Sequence, residues 1–291
     1  MLDRYQLDLL INQTCNLKCY ACDSYSDYLK GEQDWDELQD SVKSWAKKII
    51  PIWEQGKIPF DKIKIIGGEP VLYKKLPELL YLVRENFPKW RIVLGTNGLL
   101  LNKKTNVLDA IKETHSEIFI SVHFSDSNYQ KRLKKILQEC IEYLGDDYRK
   151  INSKGSLVHL IDTTRTNYWK LYHKRDEKGI HPYNANQIKD SYNICEAKYC
   201  KGLYKNKLYK CSVHAHLKDG LTHWGQQDSE EWKPYTSIQP ATLEMTEEEI
   251  IEWCLTDEEP LCNMCSPTNH YVSNEMKQNG MKFSSSFTTH L

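Results

Sequence analysis

The chain of 291 residues carries 39 basic and 40 acidic side chains, which gives a formal net charge of −1. This balance argues against the strongly basic surface that binds nucleic acid or an anionic membrane. A hydrophobic fraction of 40% supports a folded core, and no apolar run reaches the about 18 residues of a membrane span. The first residues lack a basic-then-apolar signal pattern. We therefore expect a cytoplasmic protein with neither a nucleic-acid nor a membrane partner.

Apolar periodicity predicts five strands that alternate with four helices along the first half of the chain. The predicted strands cover 6–12, 62–66, 91–94, 117–123 and 156–162, and the predicted helices cover 36–56, 75–87, 105–113 and 129–144. Such alternation requires parallel strands joined by crossover helices. The repeating region is shorter than the about 250 residues of a full eight-unit barrel. The predicted fold is therefore an α/β, partial (β/α)6 TIM-like barrel.

The periodicity is lost after about residue 165, where the chain becomes rich in Tyr, Asn, Lys and His. Two short runs on either side of 205–207 predict a hairpin between Cys200 and Cys211. Thr246 begins a predicted helix over 246–255. We expect two domains, the partial barrel over 1–190 and a smaller domain over 191–291.

Ten cysteines are unusual in a chain expected to stay in a reducing compartment, where clustered thiols are more often metal ligands than disulfides. Cys140 and Cys254 lie in predicted helices and are interpreted as small buried apolar residues. The other eight form a compact trio, a second trio and a closing pair. These groups are Cys15, Cys19 and Cys22; Cys195, Cys200 and Cys211; and Cys262 with Cys265.

The compact trio forms a CxxxCxxC motif directly after the first predicted strand. Three thiolates cannot complete a four-coordinate zinc site, but they can hold three irons of a [4Fe–4S] cube and leave the fourth iron open. The second and third strands end in Gly67-Gly-Glu-Pro70 and Gly95-Thr-Asn-Gly98. Because ligands of parallel β/α folds bind at the carboxyl ends of the strands, these segments should meet the cysteine loop.

Together these motifs resemble the radical SAM superfamily. The resemblance implies that S-adenosylmethionine binds the open iron, and that one electron from the cluster splits its sulfonium and releases a 5′-deoxyadenosyl radical. It also implies a one-electron donor such as flavodoxin or ferredoxin. Glu69 is expected to accept a hydrogen bond from the amino group of the cofactor, and the two glycines before it to let the backbone approach the cofactor. The full set of implied cofactor contacts is Tyr20, Gly67, Gly68, Glu69, Asn97 and Ser121.

The late cysteines supply a second set of thiolates, sufficient for a closed [4Fe–4S] cluster or a structural zinc. Their arrangement resembles the twitch domain, the shortened form of the SPASM extension in radical SAM enzymes. The resemblance implies a small α+β domain that holds one auxiliary [4Fe–4S] cluster. Cys195 can replace Cys200 as the first ligand, but we expect Cys200 because its hairpin is tighter. The expected ligands are therefore Cys200, Cys211, Cys262 and Cys265.

The resemblance further implies that a hydrogen atom is removed from an unactivated carbon of the substrate. An auxiliary cluster would accept the leftover electron, so we predict an oxidoreductase that oxidises a small sugar- or cyclitol-like molecule by two electrons. His123 and Arg165 are the candidate catalytic residues. Arg165 suits a substrate anchor better than a base because of its high pKa. His123 shares a strand face with Ser121, and its alternative interpretation is a satisfied buried histidine.

Two other functions stay open. The first is radical modification of a ribosomally synthesised peptide by cross-linking, oxidation or epimerisation. Enzymes of that kind often carry an added peptide-recognition domain before the barrel. Because the cysteine loop already begins at residue 15, we favour the small molecule. The second is a non-enzymatic scaffold protein with zinc in both thiol sets.

Overall fold

The computed structural model describes residues 5–19, 22–162, 171–256 and 259–268. The strands are β1 (Gln6–Leu10), β2 (Lys62–Ile66), β3 (Arg91–Thr96), β4 (Glu117–Val122), β5 (Val158–Asp162), β6 (Lys174–Asp176), β7 (Gly179–His181), β8 (Cys200–Tyr204) and β9 (Lys207–Tyr209). The helices are α1 (Trp35–Glu54), α2 (Leu76–Asn86), α3 (Thr105–Glu113), α4 (Ser127–Leu144), α5 (Ile188–Asn193), α6 (Ser212–His223), α7 (Lys233–Thr236) and α8 (Glu247–Leu255).

Seven strands form one sheet in the order β5-β4-β3-β2-β1-β8-β9. The first six of these run parallel, and β9 returns antiparallel to β8. The fold prediction of a partial barrel is thus confirmed, with one difference in its construction. The sixth parallel strand does not follow β5 at that edge but is β8, which adds beside β1 at the other edge. The hairpin assigned by sequence to the second domain therefore extends the barrel sheet, and a boundary at residue 190 stays a prediction.

The helices that connect the parallel strands begin and pack as their sequences require. Asp34 and Asp126 each accept hydrogen bonds from two backbone N–H groups at the first turns of α1 and α4, which satisfies donors that lack a partner inside a helix. The apolar stripe of α1, which includes Val42 and Trp45, is buried in the main core. Consecutive helices α1 to α4 contact one another. This layer leaves the carboxyl ends of the strands open to the loops.

A second, smaller core lies beneath the C-terminal region and includes Val213 and Leu217 of α6. Tyr25, three residues after the last cysteine of the compact trio, is buried in that core. The loop that carries the first cysteine motif is therefore packed between the barrel and the C-terminal region. Among the described residues, no helix combines the length and the apolar character that crossing a bilayer requires.

Candidate active site

A cavity of about 240 Å³ opens at the carboxyl ends of the strands, beside the first cysteine motif. The strand ends and the cysteine loop converge here because parallel strands place their carboxyl ends at one edge. Most of the site residues predicted for the barrel line this cavity. They are Cys15, Cys19, Cys22, Gly67, Gly68, Asn97, Ser121 and His123. Tyr20 and Arg165 lie outside the described residues, so their roles stay predictions.

Gly67 and Gly68 allow the end of β2 to cross the backbone that leads into the cysteine loop. The Gly68 N–H donates to the Asn12 carbonyl at 2.8 Å, and the N–H of the next residue donates to the Thr14 carbonyl at 2.9 Å. A Cβ atom built on either glycine would come within 2.4 Å of one of these carbonyl oxygens. No side chain fits at either position without moving backbone. The glycines therefore place the cysteine loop, in addition to lining the cavity.

Glu69 ties β2 to β3 and does not line the cavity. Its carboxylate accepts hydrogen bonds from Thr96 Oγ1 at 2.7 Å, from the Asn97 N–H at 2.8 Å and from the Val71 N–H at 3.1 Å. Burial raises the pKa of this carboxyl group, and the three hydrogen bonds oppose that shift. Both carboxylate oxygens thus have partners within the protein. The predicted contact with the cofactor amine stays a prediction, and the observed role of Glu69 is to join two strand ends.

Asn97 and His123 contact thiols of the trio. Asn97 Nδ2 lies 2.7 Å from Asn16 Oδ1 and 3.9 Å from the sulfur of Cys15. His123 Nδ1 lies 3.9 Å from the sulfur of Cys19, and burial lowers the pKa of this histidine to about 4. An imidazole with that pKa is neutral at pH 7 and a weak base. It is placed to form a hydrogen bond with a cysteine sulfur, which is a contact that tunes metal–thiolate centres.

The three thiols of the trio line one cavity, with Cys19 buried and Cys15 and Cys22 half-buried. Burial raises the pKa of each of them, that of Cys15 to about 12. Nearby negative charge raises these pKa values further: that of Glu69 for Cys15, those of the neighbouring thiolates for Cys19, and that of Asp23 for Cys22. Such thiols are poor free nucleophiles because the reactive form is the thiolate. A metal centre reverses this preference, since its positive charge stabilises the deprotonated sulfur. The donor set therefore fits a metal centre better than nucleophilic catalysis.

Four residues of the cavity wall that carry polar groups were not predicted from the sequence: Lys64, Asp23, Ser24 and Tyr172. A signal existed for Lys64, because it lies two residues before Ile66 on β2 and the two side chains therefore share one face of the sheet. Asp23 and Ser24 directly follow the third cysteine, which is a second usable signal. Tyr172 lies in the aperiodic region after residue 165, where the sequence carries no signal for a site.

A second cavity, of about 40 Å³, is lined by four cysteines of the C-terminal region. Cys195 follows α5, Cys211 lies at the start of α6, and Cys262 and Cys265 lie in and just after a 3-10 turn over Pro260–Met264. Ser191 Oγ donates to the Cys265 carbonyl at 3.1 Å, which anchors this turn to α5. Burial raises the pKa of both Cys211 and Cys262, and the charge of the Cys195 thiolate raises both further.

Cys200, the expected first ligand of this set, does not line the second cavity. Cys195 lines it instead, so the choice between these two thiols as the first ligand stays a prediction. Side chains alternate across a strand, and on β8 it is Lys201 that faces the cavity, so its neighbour Cys200 points to the other side of the sheet. Burial raises the pKa of Cys200, and the charge of Asp8 on β1 raises it further, whereas Lys64 and Lys62 on β2 lower it and Cys195 has a smaller raising effect.

Neither thiol set is arranged around a single ion. Among the described residues, no three His, Cys, Asp or Glu side chains converge closely enough to ligate one metal ion. A cubane cluster has a different requirement, because each of its thiolates binds a different iron. The lack of a single-ion site among these residues therefore does not argue against a cluster.

The model of the Radical SAM superfamily matches residues 9–168 of the chain. A protein from Methanocaldococcus jannaschii with the provisional name glycyl-radical enzyme activating enzyme is 31% identical over 150 residues, which is 50% of this chain and 52% of that protein. The GTP 3',8-cyclase of Chlorobaculum tepidum is 30% identical over 105 residues, 36% of this chain and 28% of that enzyme. The chain thus spans about half or less of the length of these relatives.

Two solved structures share the general layout at low similarity. For BtrN in complex with AdoMet and 2-DOIA, the TM-score is 0.47 at 14% identity, and the aligned region covers 91% of this chain and 96% of the BtrN chain. Streptococcus suis SuiB bound to the precursor peptide SuiA has a TM-score of 0.48 at 16% identity and covers 89% of this chain and 65% of its own. Similarity at this level carries no argument about the substrate of the present chain.

Proposed function

Because the chain belongs to the radical SAM superfamily, we propose that it oxidises a small polar substrate by two electrons, with S-adenosylmethionine bound at a [4Fe–4S] cluster held by Cys15, Cys19 and Cys22. When bound, the cluster and cofactor supply a carbon radical that removes one hydrogen atom from the substrate. The observation that supports this site is the single cavity lined by all three thiols and by the ends of β2, β3 and β4.

The residues around the trio suit a cofactor with an amine, a carboxylate and a ribose. Gly67 and Gly68 present backbone at the cavity wall, where peptide groups can bind a ligand without a side chain in the way. Asn97 and Ser121 supply an amide and a hydroxyl at the neighbouring strand ends. These four residues are the proposed cofactor contacts, and Glu69 supports them by fixing the N–H of Asn97.

The second centre is proposed to be an auxiliary [4Fe–4S] cluster held by Cys195, Cys211, Cys262 and Cys265. It would accept the electron left on the substrate. One side chain supports this connection, because Tyr172 lines the first cavity and packs against the second core, which contains Cys265. Burial raises the pKa of its hydroxyl, and the charges of Asp23 and of thiols of the second set raise it further. Tyr172 therefore lies between the two thiol sets, at the wall that a substrate would touch.

The polar lining of the cavity favours a hydroxylated substrate. Lys64, Asp23 and Ser121 place an ammonium group, a carboxylate and a hydroxyl around the same space, which suits hydrogen bonding to several alcohol groups. In the proposed oxidation, the carbinol carbon would lose a hydrogen atom to the radical that the bound cofactor supplies, its hydroxyl would lose a proton to a base, and the auxiliary centre would accept the remaining electron. The alcohol becomes a ketone, and two electrons and two protons leave it in total.

Cys262→Ala/Cys265→Ala tests the proposed electron acceptor. The anaerobically reconstituted variant should keep the first cluster and still cleave the cofactor, but it should form no ketone from a panel of sugars and aminocyclitols. Cys140→Ala is the matched control, because this thiol is buried in α4 away from both sets, and it should behave as the wild type. Ketone formation by the double variant would show that the auxiliary centre is not the acceptor. Substrate-dependent turnover of peptides alone would replace the small-molecule assignment with peptide modification.

A further inference from the structure

Two lysines are buried beside the four cysteines of the second cavity. Lys201 and Lys210 are 4% and 8% exposed, and both line the cavity. Buried ammonium groups are rare in proteins unless a negative charge offsets the loss of hydration. The two residues therefore need counter-charges within the C-terminal region.

Lys210 has such a partner. Its ammonium group lies 2.5 Å from Glu259 Oε1 and donates to the Trp253 carbonyl. It also lies 4.4 Å from the centre of the Trp253 ring, which is a favourable cation–π contact. One carboxylate thus offsets one of the two positive charges.

Lys201 has no comparable partner. Among the residues that the structure describes, no carboxylate lies within ion-pair distance of its ammonium group. Its ammonium group lies 5.9 Å from the centre of the Trp253 ring. Burial and the charge of Lys210 lower its pKa, and the more distant carboxylate of Glu259 opposes that shift only weakly. The nearby thiol of Cys254 is no anion at neutral pH, because burial raises its pKa to about 11.

Four thiolates around a metal centre would supply the missing negative charge. A [4Fe–4S] core with four thiolates carries a net charge of minus two, and minus three after reduction. The thiols that line the cavity with Lys201 therefore become its counter-charge only when the centre is assembled. Since reduction adds one more negative charge, a nearby cation stabilises the reduced state more than the oxidised state.

We propose that Lys201 is the cation that raises the reduction potential of the auxiliary centre and so makes it an electron acceptor. The inference rests on the proposed function, because it needs a redox-active cluster at the second cavity. Lys210 contributes less, since Glu259 already offsets its charge. Lys201 acts as a positioning and tuning residue, with no contact to substrate.

The test is a redox titration of the auxiliary cluster, followed by electron paramagnetic resonance. The parent protein is the full chain with Cys15, Cys19 and Cys22 replaced by alanine, so that only the second cluster gives a signal. Lys201→Met should lower the equilibrium constant for reduction by at least about tenfold, which is 59 mV for one electron. Lys201→Arg, which keeps the charge, should stay within about threefold of the parent. Lys207→Met is the control, because this lysine is exposed on β9 of the same hairpin.

A potential of Lys201→Met within about threefold of the parent would overturn the inference. If Lys201→Met fails to assemble a cluster while Lys201→Arg assembles one, the charge requirement is supported; failure of both variants would contradict it.

Metal analysis separates the proposed function from the inference. If the parent holds zinc in place of iron, the two-cluster function is wrong, and the lysine is then judged on zinc loss to a chelator. That loss should be about tenfold faster from Lys201→Met than from Lys207→Met, and equal rates would overturn the inference.

Discussion

Glu69→Gln should destabilise the barrel more than it weakens cofactor binding, because the carboxylate joins the ends of β2 and β3. Its side chain is 1% exposed, and its two oxygens accept from one hydroxyl and two backbone N–H groups. A glutamine has only one acceptor oxygen, so in either orientation its NH₂ group faces at least one of these donors and that hydrogen bond is lost. Hydrogen bonds to a charged group contribute about 1.5–3 kcal/mol each. We expect Glu69→Gln to lower the free energy of unfolding by about 2–4 kcal/mol, because the neutral amide avoids the cost of burying a charge and so recovers part of the lost hydrogen-bond energy.

Urea denaturation of the reconstituted protein measures this loss. Thr96→Val removes only the hydroxyl donor and should cost about 1–2 kcal/mol. The double variant should then cost less than the sum of the two single changes, since they remove one shared bond. Glu78→Gln is the control, because Glu78 pairs with Lys75 on an exposed helix surface, and its effect should stay below about 0.5 kcal/mol. Unchanged stability of Glu69→Gln together with lost cofactor affinity would refute the reasoning and support the predicted contact of Glu69 with the cofactor.

Three further predictions address burial, ligand identity and backbone contact. Burial raises the folded-state pKa of Asp8 from 3.8 to about 6, so the stability of the wild type falls as the pH rises between these values. Asp8→Asn should therefore leave the free energy of unfolding unchanged near pH 4 and raise it by up to about 3 kcal/mol near pH 7.5. A variant no more stable than the wild type at pH 7.5 would contradict this. Cys195→Ser should lose the iron of the second centre while Cys200→Ser keeps it, as measured by iron analysis; the reverse would show that Cys200 is the ligand. Gly68→Ala should lower stability by more than about 3 kcal/mol, because its Cβ would meet the Thr14 carbonyl at 2.4 Å; a loss below about 1 kcal/mol would show that the loop moves aside freely.

The barrel could be predicted from sequence because its signals are local. The strand over Lys62–Ile66 and the helix over Thr105–Glu113 have the predicted bounds, since β-branched runs and apolar periodicity act within each segment. The motifs at the strand ends then meet because parallel topology leaves no other arrangement. The edge at which β8 joins the sheet is a long-range choice, and nothing in its own residues encodes the pairing with β1.

The second thiol set was less predictable for a related reason. The choice of Cys200 over Cys195 rested on the compactness of a hairpin, which is a statement about spacing. The structure adds the direction of side chains on β8, where alternation turns Lys201 toward the cavity and Cys200 away from it. This observation favours the alternative ligand Cys195. Tyr172 was missed because its place between the two thiol sets depends on tertiary packing alone.

Formation of 5′-deoxyadenosine from S-adenosylmethionine under reducing, anaerobic conditions tests the central claim most directly. The measurement compares the reconstituted wild type, the Cys262→Ala/Cys265→Ala variant and a variant with Cys15, Cys19 and Cys22 replaced by alanine. The account predicts cleavage by the first two proteins and none by the third. Equal cleavage by the third protein, or no cleavage by an iron-loaded wild type, would contradict it.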